Sequence, residues 1–519
     1  MKVKFAGGIG VSAVTRVFGL GETVPLPKDT AIIEVPRLPN GSQSAENQTE
    51  IVNADGSKMT VGTVAQELSE KCSGCGVSSL TSVESDDIPP GTLLIASPSA
   101  ASYFVIPDKL HSPLKVLLDG GTVGDALTAC GSISPRKSRA MLQELLSHIE
   151  FRNFYDNVVP EEYVPDGAML QVYVTNRCNL RCRHCYMKSG LPLAHGEAET
   201  KDRLKALELF AGIHPGGLVT FTGGEALLDP DIFILLKRAR LLELKTELYS
   251  NGLTINHSNI STIVDLVDDL QISLDGATAR AHEEIRGKRT FRRTLKTIRL
   301  LDRWAQDNSR FRYRISFTLT PSNWRDIQEN LRPLLSRLNL QAVSRVQVGA
   351  GSGVGRASKN PKMYSAVEDM RRIESSVMHS LAKKGVFRLP IFLLNRFTKS
   401  CGHGATVAIG ADGNIYPCNI TDQPSIGNVR EENAQDVMRS VRDYVKSSAV
   451  DKVDGCNRGS IRYFCGGICR ITNFRMTGSF IKSACTPKYK HAQIRALVRR
   501  YESFLISAES YEDDVRQLS

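Results

Sequence analysis

The chain has 519 residues, 41% hydrophobic and 23% charged, which suits two to four globular domains and excludes a chain that is disordered throughout. Sixty-six lysines and arginines against 55 aspartates and glutamates give a net charge of +11. Much of that excess falls at residues 280–303, on what reads as the solvated face of a helix, so the charge points to an acidic peptide partner and away from nucleic acid.

Residues 1–90 are the least informative. Lys2 and Lys4 precede an apolar stretch, but Arg16 and several glycines interrupt it and no small-residue cleavage site follows. No apolar run reaches the roughly eighteen residues of a membrane span, so a cytoplasmic protein without membrane contact is expected. Pro25, Pro27, Pro36 and Pro39 precede a polar run at residues 40–50 that reads as a surface loop or hairpin. Cys72 and Cys75 form a C-x2-C pair to which no role is assigned.

From Gly91 the pattern changes. Strands are expected at residues 92–96 and 102–106, then helical segments at 112–118, 123–130 and 135–149. Gly120 and Gly121 can end the first helix, and Thr122 can cap the second. A hairpin followed by three small helices is a winged-helix pattern, here over residues 91–152. The polar, acidic stretch at 153–168 reads as a linker.

Between residues 169 and 358, apolar strand candidates at 170–174, 218–222, 246–249, 270–274, 313–319 and 345–348 alternate with helices. Helix-separated strands imply an α/β fold with a parallel sheet and its ligands at the C-terminal strand ends. Six such units are too few for a closed eightfold barrel. A bridging region at 359–400 follows, containing a helix over 363–383. A cysteine-rich domain at 401–488 and a charged helix at 489–519, expected on the domain surface, complete the chain.

The sharpest signal lies on the loop leaving the first of those six strands. Cys178, Cys182 and Cys185 stand in C-x3-C-x2-C spacing. Thiolates favour soft metals, and three of them around a four-iron cluster leave one iron open. A zinc loop is the plainer alternative, but zinc sites usually close with paired ligands, and none lies nearby. At the ends of the next three strands stand Thr222-Gly223-Gly224-Glu225, Tyr249-Ser250-Asn251-Gly252 and Ser273-Leu274-Asp275-Gly276. Glycines let the backbone approach a ligand, and a carboxylate can accept from an ammonium group. Residues 349–355 are glycine-rich but lack the lysine and serine of a phosphate loop. Cys401, Cys418, Cys456, Cys465, Cys469 and Cys485 form a second group, the first two flanking a hairpin with an Asp-Gly turn. With nine of twelve cysteines in two metal-like groups, a reducing compartment is expected rather than a disulfide framework.

The C-x3-C-x2-C loop resembles that of the radical S-adenosylmethionine (SAM) superfamily, with His184 in the position before the third cysteine. The resemblance implies an open, partial (β/α)6 TIM-like barrel. It also implies a SAM-binding four-iron, four-sulfur cluster that reduces SAM to a 5′-deoxyadenosyl radical able to take hydrogen from a substrate. Gly223, Gly224 and Glu225 match the motif binding the SAM amino group, with Ala226 where the family has proline. Ser250 and Asn251 match SAM contacts, Ser273 and Asp275 suit the ribose hydroxyls, and Arg286 matches an arginine that meets the SAM carboxylate. His184 and Tyr186 are expected to contact the cofactor, and residues 349–355 to lie near adenine.

The later cysteines, spaced C-x11-G-x4-C and then C-x8-C-x3-C with a final Cys485, resemble the SPASM extension of peptide-modifying radical SAM enzymes. That extension normally carries seven cysteines for two auxiliary clusters. Its interleaved ligation implies Cys401, Cys418 and Cys469 for the first and Cys456, Cys465 and Cys485 for the second. Gly459 stands where the seventh would be, so the second is expected to have an open iron, another ligand such as Asp454, or no cluster. One or two auxiliary iron–sulfur clusters are therefore expected.

Residues 91–152 resemble the peptide-recognition element of enzymes that mature ribosomally made peptides, in which a leader adds as an extra strand to the hairpin edge. Together these resemblances imply a maturase that cross-links a precursor peptide, by a carbon–carbon or thioether bond, and draws electrons from a flavodoxin or ferredoxin. Formylglycine formation and epimerisation are the enzymatic alternatives; a zinc-stabilised peptide-binding protein is the non-enzymatic one.

Overall fold

The computed structural model describes residues 20–35, 50–52, 58–60, 88–100, 102–131, 134–152, 154, 169–187, 189–193, 196–351, 353–386 and 398–518. Cys72, Cys75, nearly all of the polar run at 40–50 and nearly all of the linker at 153–168 lie outside them.

Strand β1 (Ala31–Glu34) is followed by a separate pair, β2 (Glu50–Val52) and β3 (Lys58–Thr60), which bond to each other. β4 (Thr92–Ser97) and β5 (Ser102–Pro107) form the expected hairpin, and β1 joins it in an antiparallel sheet of order β1-β4-β5. Helices α1 (His111–Leu118), α2 (Val123–Thr128) and α3 (Pro135–Phe151) cover it. Thr122 and Asp125 close a capping box at the start of α2. The expected boundary at residue 91 is corrected. β1 is the third strand of this unit, and the segment before it is tied to α2 by Val123 N–H to Glu22 O (2.9 Å) and Gly124 N–H to Leu20 O (2.7 Å). The sequence hides this because β1 is four residues long and a long insertion separates it from its partner.

The second unit runs β6 (Met169–Thr175), α4 (Thr200–Ile213), β7 (Leu218–Gly223), α5 (Ile232–Leu241), β8 (Lys245–Ser250), α6 (Ile260–Leu266) and β9 (Asp269–Ser273). It continues through α7 (Ala279–Arg286), α8 (Phe291–Gln306), β10 (Arg312–Leu319), α9 (Trp324–Leu338) and β11 (Val343–Ala350). All six strands are parallel and lie in sequence order, as the barrel resemblance implies. Strand periodicity sorts the side chains. Leu170, Val172, Val219, Phe221, Leu248, Ile272 and Ile315 join the core beneath the helices. The alternate positions, Gln171, Thr220, Glu247, Gln271 and Arg314, are polar and share the opposite, lumen face. There Arg314 pairs with Glu247 at 2.5 Å and with Asp269, while Thr220 Oγ1 donates to Glu247 at 2.6 Å.

Helix α10 (Val367–Lys383) begins four residues later than expected. β12 (Thr406–Ile409) and β13 (Asn414–Tyr416) make the expected hairpin, and β14 (Gly427–Asn428) extends it. β12 also lies parallel to β6, so the cysteine-rich domain continues the barrel sheet into one of nine strands. α11 (Ala434–Ser447), α12 (Arg462–Cys465), α13 (Arg470–Thr477) and α14 (Pro487–Leu518) follow. The expectation that the last helix lies on the surface is corrected. Ile494, Leu497, Val498 and Tyr501 recur at helical spacing as an apolar stripe, and all four are buried in the core of the N-terminal unit. Tyr501 Oη lies 2.7 Å from His148 Nδ1, and the Tyr103 ring meets Phe464 edge-on at 5.1 Å. Among the described residues no helix is long and apolar enough to cross a membrane.

Candidate active site

The cysteine loop after β6 is held on three sides. From β7, Gly224 N–H donates to Thr175 O (2.8 Å) and Glu225 N–H to Arg177 O (2.9 Å); at α7, Ile285 O accepts from Arg183 N–H (2.9 Å). Beyond β11, Arg356 donates its N–H to Cys185 O (2.9 Å), Nε to Cys182 O (2.9 Å) and Nη1 to Ser189 O (2.7 Å). Two glycines permit these approaches. A Cβ on Gly224 would stand 2.1 Å from Arg177 O, and one on Gly355, where φ is +67°, would stand 2.3 Å from Tyr186 O.

The three thiols are free. Burial pushes Cys182 up to about 11 and Cys178 above its ordinary value; the neighbouring thiols add to this, while Arg286 opposes it. Thiolates here therefore need a positively charged group to sit against, which a metal cluster supplies.

Glu225 is buried beside this loop. Its carboxylate accepts from Ser250 Oγ (2.8 Å) and Asn251 N–H (2.8 Å), and Asn251 Nδ2 donates to Asn179 Oδ1 (2.7 Å). The motifs ending β6, β7 and β8 thus close on one another through hydrogen bonds. Burial raises the Glu225 carboxyl, and the bonds from Asn251 and Ser250 work against it. Gly223 lies against Thr175, and Ser273 is half-buried on the lumen side of β9.

Asp275 is corrected. Rather than facing a ribose, its fully buried carboxylate is already engaged: Oδ2 by Arg286 Nε (2.5 Å) and His184 Nε2 (2.6 Å), Oδ1 by Thr318 N–H (2.8 Å). Burial alone would raise this carboxyl, but the Arg286 charge first and His184 second hold it well below the usual carboxylate range. An ionised carboxylate only accepts, so His184 donates Nε2–H. Its Nδ1 is left buried with no partner. Arg286 donates Nε to Asp275, which fixes its guanidinium behind the cysteine loop.

Tyr186 links this site to the second cysteine group. Its Oη lies 3.4 Å from Tyr173 Oη, which accepts from Gln171 Nε2 (2.7 Å) and donates to Asn419 O, beside Cys418. The later thiols fall into two neighbourhoods. The Cys401 thiol is held low, first by its hydrogen bond with Cys469, while burial raises Cys418 and Cys401 adds to that rise. Burial first, then Cys456 and Cys465, push Cys485 up to about 11. The Gly459 backbone bonds to Cys456 O (2.9 Å), and the oxygen found beside the Cys456 sulfur is Ser483 Oγ (3.2 Å), whereas the Asp454 residue is exposed.

Sequence reasoning missed Arg356, Asn179, Tyr173 and Ser483. Arg356 directly follows the glycine run, and Tyr173 occupies a lumen position of β6, so a search for polar residues at inward positions would have found the latter. The donor set fits iron–sulfur clusters and SAM. Free thiols neighbour one another in the cysteine loop, and His184 Nδ1 is an unspent buried polar atom.

A radical SAM superfamily model matches residues 172–331, and an iron-sulfur cluster-binding domain model, SPASM, matches residues 401–458. The AdoMet-dependent heme synthase of Oleidesulfovibrio alaskensis is 25% identical over 363 residues, 64% of this chain and 92% of its own length. The sporulation killing factor maturation protein SkfB of Bacillus subtilis is 26% identical over 286 residues, 53% of this chain and 65% of its own length. Among solved structures, native anSMEcpe with bound AdoMet and Kp18Cys peptide shares the fold at a TM-score of 0.51 and 15% identity, covering 68% of this chain and 100% of that one.

Proposed function

Since the chain is a radical SAM enzyme with a SPASM iron–sulfur domain, we propose that it matures a ribosomally made precursor peptide by closing a carbon–carbon or thioether cross-link. The observation that carries this reading is the seat of the N-terminal winged unit. Its apolar core includes Phe464 and Tyr501 and packs against Cys465, which supports reading it as a peptide-recognition element beside the auxiliary cysteines. In this reading the leader pairs along the open edge of β5, which has a strand on one side only among the described residues. The similarity to SkfB, a maturation protein by name, supports a peptide substrate.

Cys178, Cys182 and Cys185 hold the SAM-binding cluster, and the later six cysteines hold auxiliary clusters. When bound, these groups and SAM supply electron transfer and a carbon radical that takes a hydrogen atom from the peptide. The chain's own residues do the rest. Glu225 receives an ammonium group, and Gly223 and Gly224 let its strand end pack closely against Thr175 and Arg177. Ser250 and Asn251 hold Glu225 in place, and Ser273 offers a hydroxyl on the lumen side. His184 brings an unspent nitrogen, kept in register by the Asp275–Arg286 pair, while Tyr173 and Tyr186 wall the lumen. A flavodoxin or ferredoxin in the cytoplasm would supply reducing electrons.

The heme synthase relative, matched over most of its length, favours a second reading in which a heme precursor is the substrate. Co-expression with neighbouring short reading frames, followed by mass spectrometry of the peptides, separates the two. A peptide lighter by two hydrogens is expected. Unchanged peptides together with turnover of a heme precursor would overturn the peptide reading.

A further inference from the structure

The first auxiliary group has three cysteines, Cys401, Cys418 and Cys469, where a four-iron cluster has four irons to ligate. His403 lies two residues after Cys401 and is 1% exposed. Its ring is fixed by stacking on Phe480, with centroids 5.0 Å apart, and by an edge contact with Tyr444 at 5.5 Å. The backbone N–H of the same residue bonds to the Cys401 sulfur.

The hydrogen bonds around the ring settle its tautomer. Gln423 donates Nε2 to Ile420 O (2.8 Å), which leaves Gln423 Oε1 as the atom facing His403 Nε2 at 3.3 Å. An amide oxygen only accepts, so Nε2 carries the proton and Nδ1 carries the lone pair. That Nδ1 is buried and has no partner. A buried acceptor without a donor costs about 1–3 kcal/mol, and an imidazole with one nitrogen donating to a carbonyl and the other free is the arrangement of a metal-ligating histidine.

We propose that His403 Nδ1 is the fourth protein ligand of the first auxiliary cluster, completing a three-cysteine, one-histidine set that closes this cluster to substrate. The proposal rests on the reading that Cys401, Cys418 and Cys469 hold a cluster at all. Histidine in place of cysteine exchanges an anionic thiolate for a neutral ligand, which raises a cluster's reduction potential. This would suit the first auxiliary site to accepting an electron. The second, three-cysteine site would then be the one with room for a ligand.

The test uses the full chain with Cys178, Cys182 and Cys185 changed to alanine, so that only auxiliary clusters contribute. It is prepared anaerobically with histidine in nitrogen-14 or nitrogen-15 form and reduced stepwise. Pulsed electron paramagnetic resonance should show a strongly coupled histidine nitrogen that changes with the isotope. The coupling should vanish in both His403→Ala and His403→Cys, and His403→Cys, which restores a fourth ligand and so keeps the cluster and fold, should lower the potential. A cluster present by iron and sulfide analysis but without nitrogen coupling, or with coupling that survives His403→Cys, overturns the proposal alone. Absence of any auxiliary iron and sulfide overturns it together with the cluster reading.

Discussion

Asp275 and Arg286 form a buried ion pair, Oδ2 to Nε at 2.5 Å, that joins the end of β9 to the end of α7 directly behind the cysteine loop. Replacing Asp275 by Asn keeps the shape and removes the anion, leaving Arg286 charged and buried. Breaking a buried pair in this way costs about 3–5 kcal/mol. Asp275→Asn should therefore lower the midpoint of anaerobic chemical unfolding markedly. A midpoint equal to that of the wild type would show that the pair carries no stability.

The same pair sets a pH dependence. The Asp275 carboxyl lies lower in the folded chain than in the unfolded one, so the unfolded state binds the proton more readily. Its contribution is fully present above the unfolded carboxylate value of about 3.9 and is withdrawn as the pH falls below it. Measured by denaturant titration, wild-type stability should fall more steeply than that of Asp275→Asn from about pH 5 downward. Parallel curves would contradict this.

Arg356 clamps the cysteine loop through two carbonyls with its side chain and a third with its backbone. Lysine keeps the charge but cannot reproduce the fork. In chains whose later six cysteines are changed to alanine, Arg356→Lys should bind less iron and sulfide after reconstitution. Gly355→Ala, which drives a Cβ into Tyr186 O at a left-handed φ, should bind least. Full loading of both variants would show that the loop does not depend on this clamp.

Gly459→Cys should restore a fourth thiolate beside Cys456. A Cβ there would meet Cys456 O at 3.2 Å and Arg462 Cβ at 3.8 Å, and the residue has no positive φ, so the substitution needs only a small shift. Iron bound at the second auxiliary site should become harder to remove with a chelator, and the site's reduction potential should fall. An unchanged rate of iron loss would mean that position 459 does not face the cluster.

What was legible beforehand follows from the range of the interactions. The six parallel strands could be read because their apolar residues recur at every second position and helices separate them, and the glycines at strand ends mark close backbone approaches. Neither the pairing of β12 with β6 nor the entry of β1 into the first sheet is encoded locally, since both join segments far apart in sequence. The cysteine spacing named the metal-binding loop, but not its supports: Arg356 reaches it from beyond β11, and Tyr186 folds back onto Tyr173 of β6. Asp275 shows the limit most clearly. An aspartate at a strand end reads as a ligand-binding residue, and only the fold reveals that Arg286, His184 and Thr318 already occupy it.

The central claim is that Cys178, Cys182 and Cys185 hold a cluster at which SAM is reductively cleaved. The direct measurement is release of 5′-deoxyadenosine by the anaerobically reconstituted chain given SAM and a strong reductant, compared with the Cys178→Ala, Cys182→Ala, Cys185→Ala triple variant. Release by the wild type and none by the variant is expected. No release by a wild-type chain that contains iron and sulfide, or equal release by both, would contradict the account.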